Sequence, residues 1–64
     1  MNVEEFFEIR VYQRDNTGNA MTERLVDVRR SYKFPTEEQI ADAIRDNGGD
    51  SAEVVKRYEL LPFA

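Results

Sequence analysis

The fold is decided by residues 3–14, which read VEEFFEIRVYQR. One parity of this stretch carries the apolar side chains Val3, Phe7, Ile9 and Val11. The other parity carries mostly charged side chains, among them Glu4, Glu8, Arg10 and Arg14. Alternation of β-branched and aromatic residues with charged ones is typical of a strand that buries one face. We therefore predict a half-buried strand over residues 3–14.

A second alternating run covers residues 21–34, and the turn-forming stretch 15–19, DNTGN, precedes it. The two runs predict a hairpin. If the numbers of opposed residues sum to 35, the apolar parities meet on one face, as in the pairs Ile9 with Val26, Phe7 with Val28 and Val3 with Tyr32. A shift by one residue would turn one apolar set outward. Because opposed residue numbers sum to an odd value, an even number of residues must connect the strands, and we predict two or four. It places Glu5 opposite Arg30.

Residues 35–39, PTEEQ, predict the start of a helix. Thr36 is a suitable N-cap, and Gln39 three residues later completes a capping box. An apolar stripe of Ile40, Ala43 and Ile44 follows. Asn47-Gly48 favours a left-handed stop, so we expect a helix of about eleven residues.

The segment 52–61 is compatible with two structures. Val54, Tyr58 and Leu60 alternate as in a strand, whereas Val54, Val55, Tyr58 and Leu61 also fit a helix capped by Ser51. We favour the strand, because a hairpin with a single helix would lack a further strand to stabilise it. Pro62 ends the element in either case. The apolar tail, residues 60–64, is expected to pack over the open end of the core, and an exposed anchor peptide is the alternative.

Together these elements predict an α+β protein, with residues 1–64 as a single small domain of ββαβ order. Its three-stranded sheet has the preferred strand order 2-1-3 and carries the helix on one face. Leu, Ile, Val and Phe make up sixteen of the 64 residues, which is above the roughly one-fifth below which charged chains stay disordered. A domain this small is nevertheless only marginally stable.

Composition argues against several classes of function. Histidine and cysteine are absent, and no serine has a candidate base at a recognisable spacing, so we expect no enzyme, no cofactor and no small-molecule substrate. A calcium loop starting at Asp15 would need Gly and Glu where Ala20 and Val26 stand, so we expect no metal site. The chain has no long apolar run and an acidic start, MNVEE. We therefore predict a cytoplasmic protein without membrane contact.

Charge is concentrated in the second half of the chain. The net charge is −4, and residues 35–64, with seven acids and three bases, supply all of it. Glu38, Asp42 and Asp46 recur every fourth residue and are expected to lie on one outward face of the helix. With their neighbours they form a predicted partner-binding surface, the acidic ridge, which comprises Glu37, Glu38, Asp42, Asp46, Asp50 and Glu53. The alternative is a solvated face that serves solubility alone.

The sheet face away from the helix is a second candidate surface. It is expected to carry Phe6, Arg10, Tyr12, Leu25 and Arg29, with Arg14, Met21 and Lys33 around them. In the derived register Phe6 faces Arg29 and Arg10 faces Leu25. Such a face is compatible with a self-satisfied lattice of charge pairs, with the core of a protein interface, or with a stacking platform for single-stranded nucleic acid. The net negative charge argues against nucleic acid as a partner.

The leading functional hypothesis is a small acidic inhibitor or modulator that occupies a basic groove of a larger protein, including mimicry of nucleic-acid phosphates. Stand-alone inhibitors that phages and mobile elements carry, anti-CRISPR proteins among them, are similar in size and composition, although no motif identifies a family. A structural subunit that forms homodimers through the open sheet face is the alternative. A binder of single-stranded nucleic acid that uses Phe6, Tyr12, Arg10 and Arg29 is the second alternative.

Overall fold

The computed structural model describes residues 2–15 and 22–62. It contains the strands β1 (Val3–Asp15), β2 (Thr22–Ser31) and β3 (Ser51–Leu60) and the helix α1 (Glu37–Asp46). The strands form one sheet of order β2-β1-β3, and both pairings are antiparallel. The predicted α+β class, the ββαβ order, the strand order and the third strand are confirmed. The predicted turn and the last two residues of the tail lie outside the described part of the chain.

The predicted register between β1 and β2 is wrong. Phe7 faces Ser31 and Ile9 faces Arg29, and an irregularity between Val11 and Tyr12 leaves Val26 without an opposite residue. As a result Asp27 and Arg29 point to the helix, whereas Val28 and Leu25 are turned to the other face. The polar pair is used there: Asp27 accepts a hydrogen bond from Asn47 at the end of the helix, and Arg29 forms an ion pair with Asp46. Val28 and Leu25 are therefore exposed, while Val26 still packs against the core.

The pairing of β1 with β3 is uninterrupted over ten residue pairs, from Val3 with Leu60 to Tyr12 with Ser51. It defines two faces of the sheet. We call the face that carries α1, with Ile9 and Val11, the helix side. The opposite face, with Phe6 and Arg10, is the open side. The predicted pair of Glu5 with Arg30 is also wrong, because the two residues lie on different faces and Glu5 pairs with Lys56 at 3.7 Å.

The ends of the helix agree with the sequence signals. The hydroxyl of Thr36 accepts a hydrogen bond from the backbone N–H of Gln39 at 3.1 Å, and the Gln39 side chain accepts one from the N–H of Thr36 at 2.9 Å. This capping box is the predicted one. At the other end Asn47 is the C-cap and Gly48 has a φ of 60°, so the predicted left-handed stop is confirmed.

The hydrophobic core is small and lies at one end of the sheet. It consists of the buried residues Ile9, Val11 and Ala43, and the half-buried Val26, Ile44 and Ala52 pack against it. A helix of ten residues is about 15 Å long, whereas a strand of 13 residues spans about 43 Å. The helix therefore covers about a third of the helix side. The described residues form an elongated body of 50 × 25 × 13 Å.

Two adjacent glycines connect α1 to β3, and they are needed for different reasons. Gly48 has open space around its α-carbon but a positive φ of 60°. Gly49 lies against the core: a methyl group on it would collide with Cγ1 of Val11 and would lie 3.2 Å from the carbonyl oxygen of Tyr12. Val11 is completely buried, so it has little room to move away.

We expect Gly49→Ala to lower the free energy of unfolding by about 1–3 kcal/mol, which is the usual cost of overpacking a core. The matched control is Gly48→Asn, which should cost less than about 1 kcal/mol because asparagine tolerates the left-handed region. Urea unfolding followed by circular dichroism measures both values. Equal losses in the two variants would show that the contact between Gly49 and Val11 is not tight.

Candidate protein-binding surfaces

At the centre of the open side, an arginine covers an aromatic ring. Phe6 is only 5% exposed, although no helix covers it. The guanidinium carbon of Arg30 lies 3.9 Å from the centre of its ring, and Arg57 is directly opposite Phe6 on β3. A cation stacked on an aromatic face gains electrostatic attraction and also removes the ring from water. The exposed aromatic anchor that the sequence predicts at Phe6 is therefore covered within the monomer.

Charge pairs connect the rest of the open side. Glu8 accepts from Nε of Arg10 at 3.3 Å and lies 3.8 Å from Nε of Arg57. The hydroxyl of Tyr12 donates to Glu53 at 2.8 Å. That hydrogen bond raises the pKa of Tyr12, because the neutral phenol is the donor. A side-chain hydrogen bond with Tyr12 in turn raises the pKa of Arg10. This is the self-satisfied lattice named among the sequence-based interpretations.

The structure separates the residues predicted for the open face. Phe6, Arg10, Tyr12 and Leu25 lie on the open side, as expected. Arg29 does not: it lies opposite Ile9, on the helix side, and its predicted contact with Phe6 is made by Arg30. The cause is the register described above. Three of the four predicted stacking residues, Phe6, Arg10 and Tyr12, therefore share the open side, and Arg29 does not.

Four members of the acidic ridge have partners within the chain. Asp42 forms an ion pair with Arg45, and Asp46 with Arg29 at 3.2 Å. Asp50 accepts a hydrogen bond from the backbone N–H of Arg14 at 2.6 Å. Glu53 bonds Tyr12 on the open side of the sheet and so lies off the helix.

The remaining two members, Glu37 and Glu38, occupy the first turn of α1. They form no ion pair with any residue that the structure describes. Negative charge in the first turn of a helix also favours the helix itself, because the backbone dipole is positive there. Within the acidic ridge, Glu37 and Glu38 are thus the two members that have no ion pair or side-chain hydrogen bond among the described residues.

The end of the helix is attached to β2 by a polar cluster on the helix side. Asp27 accepts from Nε of Arg29 at 3.0 Å and from the amide nitrogen of Asn47 at 2.9 Å. The same amide donates to the carbonyl of Ala43 at 2.9 Å. The bonds from Arg29 and Asn47 lower the pKa of Asp27, and Asp27 together with Asp46 raises the pKa of Arg29. The cluster accounts for the polar residues that β2 turns inward.

The part of the helix side that α1 does not reach carries exposed apolar residues. We call this surface the aromatic patch, and it comprises Val3, Phe7, Phe34, Tyr58 and Leu60. Phe34 is 66% exposed, Leu60 65%, Tyr58 60% and Val3 50%. The rings of Phe7 and Phe34 meet edge to face with centroids 5.3 Å apart, and Val3 lies opposite Leu60.

Sequence reasoning missed the aromatic patch as a site, although the signal was available. The predicted strand of twelve residues is far longer than a predicted helix of about eleven, since residues rise ~3.3 Å in a strand and ~1.5 Å in a helix. One face of the sheet therefore had to remain partly bare. Apolar alternation, such as that of Tyr58 and Leu60, indicates burial only where another element covers that face of the sheet.

A shallow depression of about 230 Å³ lies between α1 and β2. Its walls are Ile9, Arg29, Arg30, Ser31, Gln39 and Asp42. The volume is below the ~300–1,000 Å³ typical of small-molecule sites. Among residues 2–15 and 22–62, no three acidic side chains approach closely enough to hold a metal ion.

Comparisons of the chain with protein-family models, curated proteins and solved structures found no match. In the described part of the chain no helix has the length and hydropathy needed to cross a membrane.

We expect Asp27→Asn to destabilise the fold near neutral pH and to lose this effect in acid. The folded-state pKa of Asp27 lies below its ordinary value of 3.8. The contribution of the charged Asp27 to the free energy of unfolding is therefore complete above that value. It disappears as the pH falls through the lower pKa of the folded state. Urea unfolding of the wild type and the variant, at a series of pH values, should show a stability difference that shrinks below about pH 4.

The matched control is Glu23→Gln on the same strand, because Glu23 forms no ion pair with the described residues. It should leave the free energy of unfolding at neutral pH within about 0.5 kcal/mol. A difference between wild type and Asp27→Asn that stays constant into strong acid would contradict the role of the carboxylate charge.

Proposed function

We propose that this chain is a small inhibitor or modulator that docks on a larger protein through the aromatic patch, with the acidic start of α1 beside it. The observation that carries the proposal is the exposure of Phe34, Leu60, Tyr58 and Val3, each of which is at least half exposed. Phe34 packs on Phe7 and Leu60 lies opposite Val3, with the ion pair of Glu5 and Lys56 between these two apolar groups. Exposed apolar residues gathered in this way mark interaction sites in globular domains.

The aromatic patch is suited to be the centre of an interface. Phe7 holds the ring of Phe34 from the side, so the most exposed anchor is fixed before it meets a partner. Aromatic side chains supply large contact areas with few rotatable bonds and dominate interface energetics. A pre-ordered ring loses less entropy on binding than a mobile side chain.

The charges around the aromatic patch indicate the chemistry of the partner. Glu37 and Glu38 follow Phe34 closely in the chain and have no ion pair among the described residues, whereas Glu5 and Lys56 neutralise each other within the patch. Lys33 adds a single positive charge beside Phe34. An apolar pocket with a basic rim complements this arrangement, and the net charge of −4 favours approach to such a surface.

The other two candidate surfaces are less available. On the open side Phe6 is covered by Arg30, and the charges around it are paired. On the helix Asp42 and Asp46 are paired with arginines of the same chain. Charges that are already paired within the chain attract a partner less strongly than unpaired ones do.

The test is affinity capture from the lysate of the source organism, followed by titration of the purified partner. We expect Phe34→Ser combined with Leu60→Ser to raise the dissociation constant at least about tenfold, because truncated hot-spot residues cost more than ~1.4 kcal/mol. Glu37→Gln with Glu38→Gln should weaken the salt dependence of binding.

Leu25→Ser is the matched control, since Leu25 is an exposed leucine of the same sheet on the open side. It should retain the partner with unchanged affinity, and circular dichroism should show all variants folded. Equal loss of binding in the control, or undiminished binding of the Phe34 and Leu60 variant, would refute docking through the aromatic patch.

A further inference from the structure

The outer edge of β3 has no partner strand among the described residues, because β3 pairs only with β1 in the order β2-β1-β3. We propose that this edge is self-complementary and pairs antiparallel with β3 of a second copy of the chain, which extends the sheet to six strands. This inference does not depend on the proposed function, since it concerns the backbone edge of β3, although Tyr58 and Leu60 also belong to the aromatic patch.

The direction of the backbone groups can be assigned from the ladder. The N–H of Leu61 donates to the carbonyl of Asn2 at 2.9 Å, so Leu61 belongs to a hydrogen-bonded pair with β1. In an antiparallel ladder such pairs alternate with pairs that are not hydrogen-bonded. The odd-numbered residues of β3 thus bond inward. The outward N–H and C=O groups belong to Ala52, Val54, Lys56, Tyr58 and Leu60.

Symmetry restricts how two copies of β3 can meet. A two-fold axis perpendicular to the sheet keeps the helix sides together, so even-numbered residues must face even-numbered ones. Two registers then use nearly the whole strand. In the first, Val55 faces Val55 of the second copy, and Glu53 faces Arg57 of the second copy at two equivalent positions.

The second register is opposed by charge. It would place Lys56 against Lys56 of the second copy, and Glu53 against Glu59 of the second copy twice. Opposite charges directly across a ladder are stabilising and like charges are destabilising. The register centred on Val55 is therefore the favoured one. Its charged pairs are of the type without backbone hydrogen bonds, in which side chains lie closer together.

The favoured register also fits on the helix side. Tyr58, which is 60% exposed, faces Ala52 of the second copy, and the small alanine leaves room for the phenol ring. Val54 faces the aliphatic stem of Lys56 of the second copy. The other edge of the sheet is less suitable, because the irregularity at Val26 interrupts β2 and bulges discourage pairing between edges.

The test is a charge swap read by analytical ultracentrifugation. Glu53→Arg alone and Arg57→Glu alone each create two like-charge contacts, so each should raise the dimer dissociation constant at least about tenfold. Mixing the two single variants restores both opposite-charge pairs and should give a heterodimer. Glu23→Arg, the matched charge reversal on β2, should leave the wild-type dissociation constant unchanged.

Hydrogen exchange gives a second readout that does not depend on substitutions. On concentration, the exchange of the amides of Val54, Lys56 and Tyr58 should slow the most, while that of Glu53 and Val55, already bonded to β1, should slow less. A wild type that stays monomeric at millimolar concentration overturns the proposal. A dimer that survives both single variants and dissociates on Phe6→Ala with Tyr12→Ala also overturns it, in favour of the open side.

Discussion

The structure depends on a mismatch of length: a helix of ten residues packs on a sheet whose central strand has 13. Because a residue adds less than half as much length to a helix as to a strand, α1 can bury only the end of the sheet near Val11. The core is therefore confined to that end, and the aromatic patch remains bare at the other. Strand β1 connects the two ends, since it pairs with β3 over residues 3–12 and with β2 over residues 7–15.

Long polar side chains replace apolar burial elsewhere in the molecule. Arg30 covers Phe6 where a second helix would lie in a larger domain, and Arg29 attaches the helix to β2 through Asp46. Exposed ion pairs each contribute only about 0–1 kcal/mol. The aliphatic stems and the stacked guanidinium add the removal of apolar surface from water. These arginine contacts fix the positions of the helix and of Phe6, but they add little to the free energy of unfolding.

The sequence predicted the elements well and the register poorly, for a physical reason. Caps and turns are local: Thr36, Gln39 and Gly48 act on their own neighbours, so their roles could be read without the fold. The register of β2 depends on residues that are distant in the sequence. Asp27 and Arg29 face the helix because they bond Asn47 and Asp46 there. An argument from apolar parity cannot anticipate a strand that turns its charges inward. The partners of the acidic ridge could not be predicted for the same reason. Asp46, Asp50 and Glu53 bond residues of β1 or β2, which only the folded structure brings near them.

A domain with only four buried hydrophobic residues among those described has little apolar burial to offset the entropy of folding. Any partner that binds the folded state and not the unfolded one adds to the free energy of unfolding by mass action. A partner that packs on Phe34 and Leu60 would bury apolar surface that is exposed in the single chain. A second strand along the edge of β3 would bond backbone groups that have no strand partner there. The surfaces that suit association are thus also the places where the monomer is least complete, so binding and stability are expected to be coupled in this protein.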